Sequence, residues 1–209
     1  QSNSRICPYF SNFAVMALLK NPVMENVEVV DLNHYALLSY LRSRGISEEV
    51  GRTYCKEIHY ELRKRHYFAI AFENVKGGYE VRNPYYKGCI KGKDISVIRY
   101  NRDVIQRHVC VFEGFVDFLS YLMLHKKGDY HVCVDIPTDF LVMNSVSNLK
   151  KCLLELEQYI FIHCYLDNDL AGQKTVETIA GLYGIKVIDH SKNYYNYKDL
   201  NDYLRGKRR

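Results

Sequence analysis

From His108 onward the chain alternates short, wholly apolar runs with segments whose apolar residues recur at helical spacing. HVCVF (108–112) precedes EGFVDFLSYLML (113–124), and DFLVMN (139–144) precedes NLKKCLLELEQ (148–158). YIFIHCYL (159–166) precedes AGQKTVETIAGLYG (171–184), and IKVIDH (185–190) closes the series. A strand that is apolar throughout has both faces covered. A helix between one such strand and the next brings the chain back for parallel pairing. The pattern predicts a doubly wound α/β layer, with Ser147 or Asn148 capping the helix at 148–158 and Gly184 ending the one at 171–184. YHVCVDIP (130–137) reads as an added strand or a loop. DFLVMN is the better sheet strand, because a capped helix follows it directly.

The first half follows a different rhythm. HYALLSYLRSRG (34–45) has helical spacing and stops at Gly45, a natural left-handed terminator. Ser47, followed by Glu48 and Glu49, starts a second helix whose acids suit its positive N-terminal end. YFAIAFEN (67–74), the turn NVKGG (74–78) and YEVRN (79–83) form a hairpin, and 84–101 reads as further sheet and loop. The expected organisation is an N-terminal segment over 1–26, a small mixed α+β basic subdomain over 27–107, and the α/β domain with a basic tail over 108–209. The opening QSNS lacks Met and resembles the scar of a cleaved tag, which implies an upstream segment has been removed.

Composition narrows the class. Hydrophobic residues at 47% and charged residues at 25% are those of an ordinary globular protein. No apolar run approaches the ~20 residues of a membrane span, and no secretory signal is visible, so a cytoplasmic protein without a membrane partner is expected. The seven cysteines (Cys7, Cys55, Cys89, Cys110, Cys133, Cys152, Cys164) are odd in number and never form C-x-x-C. They argue against a disulfide framework and a zinc site, and Cys110, Cys133 and Cys164, inside apolar runs, read as small core residues.

The net charge of +5 is mild but uneven. Arg63, Lys64, Arg65, Lys76, Arg82, Lys87, Lys91, Lys93, Arg99, Arg102 and Arg107 crowd into 63–107, and RGKRR ends the chain. Tyr79, Tyr85, Tyr86 and Tyr100 lie among them. Cations interleaved with aromatic rings suit a polyphosphate whose unpaired bases stack; a solvated basic face and ordinary sheet tyrosines produce the same pattern.

Acids mark the mouths of the predicted strands. HVCVF runs into Glu113, with Gly114 next and Asp117 one helical turn on. YIFIHCYL runs into Asp167 and Asp169, and IKVIDH ends at Asp189. In a doubly wound sheet the carboxyl ends of the strands open on one edge, where ligands bind. Asp or Asn after a strand also caps the next helix, so D-N-D alone is equally a capped turn. Together, the acids form a hard-oxygen set suited to Mg²⁺ or Mn²⁺, which bridge phosphates and clamp the oxygens of a phosphoryl transfer.

EGFVD (113–117) followed by LDNDLAG (166–172) resembles the two signature motifs of the Toprim domain. Bacterial-type DNA primases, type IA and type II topoisomerases, OLD-family nucleases and RecR recombination mediators share that domain. The D-N-D-x-A-G form is most similar to primases and primase-like proteins of bacteria, phages and mobile elements. YKDLNDYL (197–204) resembles the stretch that follows in primases, and LLSYLRSRGIS, YFAIAF and GGYEVRNPYYKG resemble the basic subdomain preceding Toprim there. The resemblance spans roughly 30–204.

It implies a catalytic set of Glu113, Asp167 and Asp169, the glutamate as metal-linked acid/base and the aspartates as metal ligands, with Asp199 a further ligand. One to three Mg²⁺ or Mn²⁺ ions would be held. Arg82, Lys87, Lys91, Lys198 and Asp202 would contact nucleic acid or nucleotide, while Gly114, Asp117 and Gly172 would shape the motifs. The implied activity is a nucleotidyltransferase that makes short RNA primers on single-stranded DNA from NTPs, with a replicative helicase as a further partner and a monomer as the favoured state. A Toprim nuclease and a non-catalytic DNA-binding replication or recombination accessory are the rivals. The zinc ribbon usual in primases has no counterpart in the cysteine spacing.

Overall fold

A computed structural model describes residues 24–209. The tag-scar reading, Cys7 and nearly all of the expected 1–26 segment lie outside the described residues. The first unit is a five-stranded antiparallel meander in the order β1 (Glu25–Asp31), β2 (Lys56–Leu62), β3 (Arg65–Glu73), β4 (Tyr79–Arg82) and β5 (Lys87–Ile90). Helices α1 (Tyr35–Ser43) and α2 (Glu48–Tyr54) interrupt it between β1 and β2. The expected starts and stops hold: Ser47 Oγ accepts from Val50 N at 3.3 Å, and Gly45 takes φ +75° after α1. Strands β1 and β2 enlarge the sheet beyond the expected hairpin.

The second sheet has the order β10 (Val187–Asp189), β9 (Phe161–Tyr165), β7 (His108–Phe112), β8 (Thr138–Val142) and β6 (Ser96–Ile98). Pairs β10/β9, β9/β7 and β7/β8 are parallel, and β6 joins the edge antiparallel to β8. Residues 96–98 thus pair with the second sheet although they fall inside the expected basic subdomain. The segment 130–137 forms turns, and the strand is Thr138–Val142.

Alternate residues of these strands face opposite cores, which is why the runs are apolar throughout. Cys110, Phe112 and Tyr165 pack with helix α3 (Phe115–Lys126) and with Ile70 and Phe72 of the first sheet. Val109, Val111 and Cys164 pack against α4 (Leu149–Leu156) and α5 (Leu170–Tyr183) on the other face. Phe72 stacks on Phe115 with centroids 5.2 Å apart, tying the two units together. The cysteines in apolar runs are core residues, and burial pushes the Cys133 thiol up to about 12.

Two expectations are corrected. Neither Ser147 nor Asn148 caps α4 through its side chain. Ser145 Oγ instead accepts from Ser147 N at 3.3 Å, opening a 3₁₀ turn, while Asn148 Nδ2 donates to Met143 O at 2.8 Å. Arg99 and Lys76, counted with the basic surface, are engaged inside the protein's own charge network. Arg99 donates to fully buried Asp139 at 3.0 Å and to Glu155 at 2.7 Å, and Lys76 lies 3.2 Å from buried Asp94.

Candidate active site

Strands β7 and β9 are parallel neighbours, so the residues just past their carboxyl ends emerge side by side. Glu113 follows β7 directly, and Asp167 stands two residues beyond β9. They face one cleft, joined by Asp117 from the first turn of α3 and by Asp199, which precedes α6 (Leu200–Leu204). Opposite the acids stand four cations: Arg44 after α1, Arg82 and Lys87 across the β4–β5 hairpin, and Lys198. The cleft therefore lies between the two sheets and draws on both.

The pair in D-N-D divides its work. Asp169 Oδ1 accepts from Ala171 N and Gly172 N, both at 3.0 Å, and caps α5. The capped-turn reading of this motif is thus geometrically true of Asp169. Its charge still reaches the cleft, being the largest electrostatic influence on Glu113. Asp199 likewise caps α6, accepting from Asp202 N at 2.7 Å. Asp167 caps nothing and lines the cleft.

Placing carboxylates together in a partly dry cleft raises their proton affinity. Burial, then the charge of Asp169, holds Glu113 above the usual range, against Lys87 and Lys198. Burial, then the charges of Asp199 and Asp167, raises Asp117 well above it. Asp167 is pushed up to about 7 by burial and then by Glu113, Asp199 and Asp169. Glu113 Oε2 is buried and has no hydrogen-bond partner. An orphaned carboxylate oxygen among repelling acids is a place for a cation.

Among the described residues no three Asp, Glu, His or Cys side chains converge into a ready-made metal cage. The expected ligand set Glu113, Asp167, Asp169 and Asp199 is therefore not a closed site, since Asp169 and Asp199 each commit Oδ1 to a helix cap. The donors still suit Mg²⁺ or Mn²⁺. Mg²⁺ keeps waters and takes one or two carboxylates plus substrate phosphates, so an open half-site facing four cations fits an ion that arrives with a polyphosphate.

A raised folded-state pKa means these carboxyls bind protons more tightly folded than unfolded. Their stabilising contribution is fully present below about 4 and is lost as pH rises through about 7 for Asp167. Melting in EDTA should show the Tm falling across that window. Mg²⁺ at about ten times its Kd should restore about 3–5 °C at pH 8 and much less at pH 5, where protons compete. An equal Mg²⁺ effect at both pH values would contradict the coupling.

Of the other expected residues, Lys91 takes φ +62° at the end of β5 and lines a trough away from the acids. Asp202 pairs with Arg205 at 3.6 Å and does not line the cleft. Gly114 has ordinary extended backbone, and a Cβ there would meet only Asp117 Oδ2 at 3.6 Å. Its bareness keeps the cleft floor open and is not required by the backbone conformation.

Three residues were missed. Arg44 lines the cleft and keeps its Nε buried without a partner. Asn168, between the two aspartates, donates from Nδ2 to Tyr194 O at 3.0 Å and Tyr197 O at 3.1 Å, while its own N–H donates to Lys198 O at 2.7 Å. Asn201, fully buried, donates from Nδ2 to Arg44 O and Ser120 Oγ, both at 2.8 Å, and from its N–H to Asp117 Oδ1 at 3.3 Å. These asparagines stitch the loop carrying Lys198 and Asp199 to both acid motifs. Their signal in the sequence was position alone, inside the two quoted motifs.

Comparison with known proteins follows the same division. Residues 110–204 match the family model described as Toprim-like, and residues 26–91 match a family described as a domain of unknown function (DUF8464). No curated protein matches the sequence. The primase fragment of the bacteriophage T7 primase-helicase protein is similar in structure at TM-score 0.55 and 20% identity, covering 90% of this chain and 79% of that one. A chain from the complex of T7 lagging-strand DNA polymerase with primase domains of two gp4 subunits, an RNA/DNA hybrid and dTTP matches at 0.52 and 19%, covering 87% and 88%. The zinc-binding and RNA polymerase domains of Aquifex aeolicus primase match at 0.54 and 11%, covering 85% and 54%. The likeness is one of fold and extends over both sheets.

Proposed function

We propose that this chain, whose residues 110–204 are a Toprim-like domain, is a DNA primase-type nucleotidyltransferase core that makes short RNA primers on single-stranded DNA. The observation that carries the reading is the single cleft in which Glu113, Asp117, Asp167 and Asp199 face Arg44, Arg82, Lys87 and Lys198. Acids alone would suit a cation and cations alone a phosphate. Both across one gap suit a metal-bound triphosphate.

In the reaction the primer 3′-hydroxyl oxygen bonds to the α-phosphorus of an NTP. The bond from that phosphorus to the α–β bridging oxygen breaks, and pyrophosphate leaves. Arg44, Arg82, Lys87 and Lys198 hold the phosphates and offset the charge that develops on them. Glu113, with its orphaned oxygen and raised proton affinity, accepts the proton of the attacking hydroxyl. Asp167, helped by Asp169, would hold Mg²⁺ or Mn²⁺, which when bound supplies Lewis-acid neutralisation of phosphate charge.

The template runs along the hairpins of the first sheet. Arg63, Lys64 and Arg65 stand at the β2–β3 tip, and Tyr85, almost fully exposed, projects beside Lys87 for base stacking. Single-stranded DNA, NTPs and a replicative helicase are the partners of this reading, which places a monomer in the cytoplasm. Among the described residues no helix is long and apolar enough to cross a membrane.

Labelled single-stranded DNA incubated with the protein, Mg²⁺ and NTPs separates this reading from its rivals. New RNA lengthening with time is the expected result. Shortened DNA would make the same acids those of a nuclease, and salt-sensitive binding with no product would leave an accessory.

A further inference from the structure

The hairpin that supplies Arg82 and Lys87 carries an acid the mechanism does not use. Residues two apart on a strand share a face, so Glu80 lies beside Arg82, while Tyr79 and Val81 turn to the apolar cluster behind the sheet. Next to the acidic cleft, and sharing Arg82, Lys87 and Gly114 with it, a narrow crevice continues to Glu80, Phe115 and Asn144. It holds about 10 Å³ for a water-sized group, against about 100 Å³ in the cleft.

Two oxygens of this crevice's lining residues have no partner. Glu80 Oε1 and Asn144 Oδ1 are buried and accept no hydrogen bond, and each residue is only 5% exposed. The Asn144 amide is oriented by its nitrogen, which donates to Asp94 O and Ser96 Oγ, both at 2.9 Å, so the oxygen is left as an acceptor. Its backbone takes φ +62° just past β8, on the same sheet edge as Glu113. Native proteins seldom leave one such acceptor empty, and here two line one crevice.

The chemistry of the occupant follows from what surrounds it. Two acceptors call for a donor. A divalent ion needs more oxygens than two and would meet the repulsion of Arg82 and Lys87. A base ring exceeds the space, whereas a hydroxyl replaces a single water. The crevice adjoins cations placed for phosphates, so the hydroxyl belongs to a molecule that also carries phosphate.

We propose that Glu80 and Asn144 form a subsite for a ribose hydroxyl of the incoming nucleotide, and so select ribonucleotides over deoxyribonucleotides. The inference rests on the nucleotidyltransferase reading above for the placement of the phosphates. Glu80 and Asn144 accept from the sugar while Arg82 and Lys87 hold the phosphates next to it. A deoxynucleotide leaves at least one acceptor buried and empty.

Equilibrium binding of ATP, 2′-dATP and 3′-dATP to the full chain in Mg²⁺ tests this. ATP should bind roughly 10- to 100-fold more tightly than the analogue lacking the hydroxyl that is read. Glu80→Ala and Asn144→Gly, the glycine chosen to suit the positive φ, should weaken ATP and bring the ratio close to one while leaving that analogue's affinity unchanged. A merely structural role would weaken all three nucleotides alike and overturn the proposal, as would equal wild-type affinities or an unchanged ratio in Glu80→Ala. Should Glu80→Ala fail to fold, Glu80→Gln is read by the same ratio. Primer synthesis is measured in parallel: discrimination in binding without synthesis would sink the polymerase reading and leave this subsite standing.

Discussion

Replacing Asp167 with Asn is expected to abolish metal-dependent primer synthesis, lowering its rate by about 1,000-fold or more, and at the same time to raise the Tm of the metal-free protein. The two effects share one cause. Asp167 caps no helix and has no ion-pair partner within 4 Å among the described residues, yet it stands among Glu113, Asp199 and Asp169, all of which raise its proton affinity. Its charge is a liability to the folded state unless a cation and phosphates share the cleft. Asn keeps the shape and removes the repulsion, worth about 2–4 °C for each 1 kcal/mol relieved in a chain of this size. The same change withdraws an oxygen anion from the developing charge of the reaction, where one preorganised electrostatic contact is worth about 100- to 1,000-fold. Asp169→Asn is the informative partner. Asn caps a helix as well as Asp does, so this variant should keep its Tm and still lose synthesis. Synthesis at wild-type rates in both variants would remove these acids from the mechanism. A fall in Tm for Asp167→Asn would mean that the carboxylate is stabilised by something other than a metal.

The α/β half was legible because its strands are buried on both faces. Runs such as HVCVF and YIFIHCYL have no polar alternative, and each is followed by a helix whose N-terminus the same acids mark. The first sheet was only partly legible. Its β2–β3 connection is a two-residue turn with Arg63 at φ +53° and Lys64 at φ +60°. Tight turns of this kind normally announce themselves with Asn-Gly, since both residues need the left-handed region. Arg-Lys reads instead as a charged surface, and KEIHYEL before it, with Lys, Glu and His, gives little sign of a strand. The cleft was legible on its acid side, where short motifs sit at strand ends. Its other contributors came from tertiary placement: Arg44 ends a helix in the other unit, and Asn201 joins Asp117 across 84 residues of sequence. Arg99 shows the converse error, a cation that composition assigns to the surface and that buried Asp139 holds.

Gly172→Ala should cripple the protein, while Gly181→Ala, in the same helix, should improve it. A Cβ built on Gly172 would lie 2.0 Å from the carbonyl oxygen of Asp167 and 3.0 Å from its carbonyl carbon, whereas one on Gly181 meets nothing within 4 Å. The contact at Gly172 is with backbone, so no side chain can turn aside to relieve it. Either α5 backs away from the strand end, giving up the bonds from Ala171 N and Gly172 N to Asp169, or the Asp167 peptide is pushed towards the cleft. Overpacking of this kind costs about 3 kcal/mol or more when the neighbour cannot move. A displacement of about 1 Å at a catalytic carboxylate costs about 100-fold in rate. At Gly181 the methyl group enters open space and only the conformational freedom of the unfolded chain changes, which stabilises by about 0.4–1 kcal/mol. Paired thermal melts and primer-synthesis rates decide the matter. If the two variants lose stability and rate to the same degree, α5 is not pressed against Asp167, and the D-N-D-L-A-G motif owes its glycine to something other than the placement of that carboxylate.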